Sequence, residues 1–295
     1  MKILSNSIRL LPLLLMLVGN SGSIAAGYPN TEQIGFFASN GTVSTWNETA
    51  AEDYLIPNSQ VIVSGRALGT SNPVLFVGGA LGGLLAVQAD RSRNAEAVAD
   101  VETALQLNFA QTLAQAIQSR VAARSETDKY TLLLSQDGAQ ITLLPLAKLT
   151  VLDGVVARLS FRLSVRTNDD KKDFYYIVSS LRPVVGDNSW SEGNSKATLE
   201  ASTIAFGRLV DVLLDDIAGK FSAPIASTEK TLVAFRANDK NFPYNAGVLL
   251  KEYPDFVAAS GCMNRQIGKH ITLIERDALA PDQDPRKLPM RCGSV

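Results

Sequence analysis

A run of strict alternation between Val155 and Arg166 constrains this chain more than any other feature. Ala157, Leu159, Phe161, Leu163 and Val165 recur at every second position, and Arg158, Ser160, Arg162, Ser164 and Arg166 fill the places between them. Successive side chains of a strand point to opposite faces of its sheet, so the run predicts a half-buried strand with one apolar and one polar face. A polar turn, Asn168–Asp173, leads into a second β-rich run, Phe174–Val178. A Gly-, Asn- and Ser-rich loop holding Trp190 then leads to a helical pattern from Leu199 to Phe221. Leu199, Ile204, Phe206, Leu209, Val210, Leu213, Leu214, Ile217 and Phe221 form its apolar stripe, with Arg208, Asp211, Asp215 and Lys220 on the polar side. Gly219 and Pro224 mark its end.

The remaining pattern extends this hairpin-and-helix unit. Ser59–Leu68 reads as a strand with Gly65 as a bulge. From Glu96 a helical period runs through Val98, Val101, Leu105, Phe109, Leu113, Ile117 and Val121. Lys129–Leu134 and Gln140–Leu146 are β-rich, and Asp137-Gly138 between them is a hairpin signal. Pro145 lacks a ladder donor and belongs at an edge or at the end of its strand. Thr231–Arg236 is one more strand, and Lys269–Glu275 a last short one in an otherwise irregular tail. The order of elements predicts an α+β fold, a mainly antiparallel sheet with amphipathic helices packed on one face.

The first 26 residues read as a signal peptide. Lys2 and Arg9 give a positive start, Leu10–Val18 an apolar core interrupted by Pro12, and Ser23–Ala26 a small-residue cleavage region. That core is too short for a permanent membrane span, and no Cys stands at the cleavage region for lipid attachment. The predicted organisation is a signal peptide at 1–26, a poorly determined lead-in at 27–57, an α+β core domain at 58–237 and a C-terminal tail at 238–295. The destination is exported, periplasmic or secreted. Removing Lys2 and Arg9 leaves 26 Lys+Arg against 29 Asp+Glu, a balance that gives no reason to expect nucleic acid as a partner. The two cysteines, Cys262 and Cys292, read as a disulfide in an exported chain.

Val74–Val87 carries no charged or polar side chain. Gly78, Gly79, Gly82 and Gly83 place small residues four apart, which in a helix lets another backbone approach closely. Three readings stand: a core helix packed on the sheet, a membrane-contacting or self-associating helix, and a glycine-rich phosphate loop. The last lacks both the G-x-G-x-x-G spacing and a following Lys-Ser/Thr.

No catalytic constellation emerges. The chain has a single histidine, His270, which rules out paired-histidine metalloprotease chemistry, and it has no G-x-S-x-G elbow. No metal and no cofactor is expected. Asp211 and Asp215, with Asp216 adjacent, are carboxylates on one helix and form the basis of a hydrolase alternative. The best binding candidate is the row Arg158, Arg162, Arg166, with Tyr175 beside it in one of the two possible registers. Residues four apart on a strand lie about 13 Å apart on one face, suiting an extended anion or an acidic partner. The plainer reading of the row is a solvated outer face paired with acidic residues. The sequence therefore predicts a non-catalytic binding or assembly component of the bacterial cell envelope, its partner another envelope protein or an anionic ligand. A hydrolase using carboxylates or an unrecognised nucleophile, and a membrane-associating protein acting through 74–87, are the alternatives. The oligomeric state is not legible.

Overall fold

The computed structural model describes residues 28–29, 32–45, 49–65, 79–124, 127–152, 156–221, 231–236, 244–260 and 269–288. The leader, Gly78, Cys262 and Cys292 lie outside them, and Gly79, Gly82 and Gly83 fall within the first helix. Among the described residues the fold is α+β, with three α-helices and one mixed, mostly antiparallel sheet. Its strands are β1 (Ile34–Ala38), β2 (Tyr54–Leu55), β3 (Val61–Gly65), β4 (Tyr130–Leu133), β5 (Ile141–Leu152), β6 (Val156–Arg166), β7 (Lys171–Ile177), β8 (Arg182–Pro183), β9 (Leu232–Arg236), β10 (Tyr244–Glu252), β11 (Phe256–Ser260) and β12 (His270–Glu275). The helices are α1 (Gly79–Glu96), α2 (Ala110–Ala122) and α3 (Glu192–Ile217). The main path across the sheet runs β2-β3-β5-β6-β7-β12-β11-β10-β9.

The alternating run forms β6, at the middle of this sheet, hydrogen-bonded to β5 along one edge and β7 along the other. Leu159, Phe161, Leu163 and Val165 are all buried, as the periodicity requires. The expectation of a half-buried strand needs correction, however. Arg158, Ser160 and Ser164 on the other face are buried as well. Residues distant in sequence wall that face. Val43 packs with Ile62, Leu144 and Leu146 at one end, and Ala278 and Leu279 pack with Phe235, Val257, Ala259 and Ile274 at the other.

The expected hairpin at Asp137-Gly138 does not form. Gly138 turns with a positive φ, but β1 lies between β4 and β5 and runs parallel to both. The connecting loop crosses β1 at Gly35, where a Cβ would stand 2.8 Å from Gln140 Oε1 and 2.9 Å from Leu133 Cδ1. A side chain at this position would require the ends of Gln140 and Leu133 to move. Pro145, expected at an edge or strand end, lies inside β5. Leu143 and Ala147 direct their backbone groups to the Ser39 and Gln60 side, and Pro145 shares their parity. On that side β1 pairs up to Leu143 and β3 begins at Ala147, so the missing N–H faces the gap between two neighbours.

The helical period read from Glu96 to Val121 is also divided. α1 ends at Glu96, passing unbroken through Asp90–Asn94, and α2 starts only at Ala110. Fully buried Gln60 imposes the break. Its amide N–H donates to Leu107 O (2.7 Å), and its side-chain Oε1 accepts from Phe109 N at 2.7 Å. In α3, Gly193, Asn194 and Ser195 take positive φ, so the regular helix begins at Lys196. Leu199 and Ile204, expected on its buried stripe, are exposed. The region from 238 onward holds the expected last strand as β12, which joins the sheet parallel to β7, and also supplies β10 and β11 where only an irregular tail was expected.

Phe109, Phe161 and Phe206 knit α2, β6 and α3 together, with ring centroids 5.5–5.9 Å apart in edge-on and tilted pairs. Phe206 is fully buried, so Phe206→Ala is expected to cost about 3–5 kcal/mol, read as a lowered urea midpoint with an unchanged m-value.

Candidate functional site

The second face of the central strands is assembled by register. Arg158 lies opposite Thr150 and Ser160 opposite Lys148 on β5. On β7, Arg162 lies opposite Tyr175 and Ser164 opposite Asp173. β12 continues the rows, with His270 opposite Asp173 and Thr272 opposite Tyr175. Side chains on neighbouring strands at matched positions share a face, so Arg162, Tyr175 and Thr272 form one rung and Ser164, Asp173 and His270 the next. The register that sequence left open thus brings Tyr175 beside Arg162. A polar strip results, bounded by the two apolar clusters that cover the ends of this face.

The strip is not a solvated surface. Arg158 and Thr272 are each 8% exposed, Asp173 4% and Ser164 1%, while Arg162, Arg166, Tyr175 and His270 are partly buried. Asp173 is its electrostatic centre: it accepts a hydrogen bond from Ser164 Oγ, pairs with Lys171 Nζ at 3.4 Å and stands 3.8 Å from His270 Nδ1. The last distance is too long for a hydrogen bond. Burial lowers the His270 pKa below 6.5; Asp173 opposes that shift, and Lys171, Arg162 and Lys269 reinforce it. The imidazole is therefore neutral at neutral pH, and its ring stacks on Tyr175 with centroids 6.2 Å apart. Ser164 donates to Asp173 and not to His270, so this group does not have the order of a nucleophile–base relay.

Arg158, Arg166 and Tyr175 each engage a partner. Arg162 differs. Its Nε and Nη2 are shielded from solvent without a hydrogen-bond partner among the described residues, as is His270 Nδ1. Sequence reasoning set His270 aside. The signal for it lay in the alternation of His270, Thr272 and Ile274 with Ile271, Leu273 and Glu275, which puts it on the same face as the arginines.

The carboxylates considered for hydrolysis are bound into ion pairs on α3. Asp215 accepts from Lys251 Nζ at 2.6 Å, Tyr253 OH at 2.8 Å and Arg124 Nη1 at 2.9 Å. Burial would raise its pKa, but these three partners together hold it below the usual value. Asp216 pairs with Lys172 at 2.8 Å, the two side chains 1% and 5% exposed, and accepts from Tyr28 OH at 2.6 Å. Burial raises its pKa against both partners. Asp211 is also raised by burial, against Arg120 at 3.5 Å and Arg124. Arg208, on the polar side of this helix, bridges Glu275 at 2.8 Å and Asp255 at 2.5 Å and contacts Tyr176 OH at 2.5 Å. Each of these groups ties α3 to a strand or to α2.

Among the described residues no three His, Cys, Asp or Glu side chains gather as a metal-binding set, and no helix is long and apolar enough to cross a membrane. A scan of the chain against protein-family models gives no match, and a search among curated proteins gives none.

Two outcomes follow from the electrostatics. Lys172→Met strands the Asp216 carboxylate and is expected to cost about 3–5 kcal/mol in urea unfolding, whereas Lys172→Met with Asp216→Leu restores most of it. His270, the chain's single histidine, is expected to titrate below 6.5 in a proton NMR titration. Because the fold favours the neutral ring, stability is full above the unfolded value of 6.5 and declines as pH falls from there toward the folded midpoint. A midpoint at or above 6.5 contradicts the burial of this ring.

Proposed function

We propose that this chain is an exported, non-catalytic binding or assembly component of the bacterial cell envelope, and that it binds through the polar strip carrying Arg158, Arg162, Arg166 and Tyr175. The observation that supports this reading is Arg162. If the arginine row were only a solvated surface, its guanidinium would lie in water or against a carboxylate, as Arg93 does with Asp90. Instead two of its nitrogens are shielded and lack a hydrogen-bond partner among the described residues. A shielded cation without a counter-charge is costly, and an acidic partner offsets that cost on binding.

The rest of the reading rests on sequence. Residues 1–26 direct export and are removed, Cys262 and Cys292 pair in the oxidising compartment, and the helices cover the sheet face that carries Phe161 and Phe174. The partner is another envelope protein or an anionic ligand, and no nucleic acid is involved.

The test is cross-linked capture from envelope extracts with the processed chain as bait. The bait is expected to begin at Ala26 or Gly27 by mass spectrometry. It is expected to retain a partner that Arg162→Gln/Arg166→Gln loses at least tenfold, with capture weakening as salt rises. Capture unchanged by the double substitution, in a variant with a wild-type urea midpoint, removes this face from the binding reading. An unprocessed amino terminus removes the export.

A further inference from the structure

We infer that Arg162, Tyr175 and His270 form a recognition site for a monoanionic carboxylate attached to a flat group. This deepens the reading of the strip as a binding surface and rests on it. The two shielded nitrogens of Arg162 are Nε and Nη2. They lie along one edge of the guanidinium and point their N–H bonds in parallel, which is the edge that grips both oxygens of a carboxylate. A single acceptor, or water, satisfies one of these donors; a carboxylate satisfies both. His270 Nδ1, also shielded and without a hydrogen-bond partner among the described residues, offers a neighbouring polar contact.

Local charge sets the valence of the ligand. Arg162 is the cation at this point of the strip, and Lys171 is taken up by Asp173 at 3.4 Å. Lys269 is paired with Asp170 at the end of β7, and His270 is held neutral. The Asp173 carboxylate stands one rung away and 3.8 Å from His270 Nδ1. With Lys171 set against Asp173, Lys269 against Asp170 and His270 neutral, Arg162 leaves one net positive charge here, which a monoanion balances and a dianion exceeds. The flat group follows from the neighbours: Tyr175 lies directly across from Arg162, and the His270 ring stacks on it at 6.2 Å and 30°. The two rings form an aromatic platform next to the fork. Arg162 and Tyr175 are both only partly buried, so a rotamer change at either opens the fork to an incoming group.

The chain's single histidine supplies the readout, since one pair of imidazole ring signals reports on the site in the full processed protein. Acetate, benzoate and inorganic phosphate are titrated separately at fixed pH and constant ionic strength. Both carboxylates are expected to move the His270 signals along saturating curves. Benzoate is expected to bind more tightly than acetate, and phosphate more weakly than either. Arg162→Lys keeps the charge but loses the fork and is expected to weaken benzoate binding about tenfold, with Arg162→Gln abolishing it. Tyr175→Ala is expected to remove the advantage of benzoate over acetate. The absence of a saturating shift with either carboxylate overturns the assignment, as does a shift that survives Arg162→Gln or a preference for phosphate. If partner capture depends on Arg162 and Arg166 while the His270 signals stay still, the carboxylate site falls and the binding face stands. Saturating benzoate shifts without partner capture leave the site standing and remove the assembly role.

Discussion

The covering of β6 on both faces governs the rest of this structure. A strand inside a sheet has its backbone satisfied on either edge, here by β5 and β7, so its stability turns on what its side chains meet. The apolar set meets Phe109 and Phe206, at the cost of ordinary side-chain entropy. The polar set is harder to place. Three arginines and two serines cannot lie under a cover without partners, and the molecule meets this demand unevenly. Ser164 donates to Asp173, Arg158 and Arg166 engage partners, and Arg162 leaves one edge of its guanidinium unmatched among the described residues. Natural interiors seldom leave such donors alone, because each keeps its desolvation cost without a compensating bond. The proposed binding role rests on this edge of Arg162.

Ion pairs place that strip. α3 reaches β10 through Asp215–Lys251, β7 through Asp216–Lys172, α2 through Asp211–Arg120, and the turn after α2 through Asp215–Arg124. Of these, Lys172–Asp216 is the most deeply buried, and Tyr28 closes over it with its hydroxyl on the carboxylate and its ring 4.5 Å from the ammonium. A buried pair gains little net stability over an apolar one, but it tolerates few alternative arrangements. Lys172 sits on β7 between Lys171 and Asp173, so fixing its side chain on the helix side fixes theirs on the other. In this way the pairs under α3 and the charges around His270 share one strand and one register.

Much of this was legible in the chain, and the failures have particular causes. The β6 alternation, the β6–β7 hairpin and the arginine row were visible because period 2 and a polar turn are local signals. The burial of Arg158, Ser160 and Ser164 on the polar face was not, because period-2 alternation separates the two faces without saying what packs against each. The false hairpin at Asp137-Gly138 had the right turn chemistry, but a parallel strand from near the start of the chain took the place between its arms. The continuous helix read from Glu96 kept its apolar period across the break, since both segments bury the same kind of side chain. Gln60, which ends that continuity, acts through its own hydrogen bonds and leaves no trace in periodicity. β10 and β11 were lost in an apparent tail because their buried residues include Gly247, Ala258 and Ala259, small side chains with weak strand preference.

The binding site proposed here is built on the centre of a sheet and not on loops. Arg162, Tyr175 and His270 sit on three adjacent strands, and neighbouring strands are held about 4.8 Å apart by their hydrogen bonds. The backbone positions of fork and platform are therefore set before any ligand arrives, and only side-chain rotamers remain to adjust. The neutral state of His270 fits the same logic. A charged imidazole next to Arg162, Lys171 and Lys269 would add a fourth cation to a crowded face, and burial removes that state near neutral pH. Acidification restores the charge, strengthens the attraction for an anion and weakens the fold through the same proton. Ligand affinity and stability at this site are thereby expected to move in opposite directions as the pH falls below 6.5.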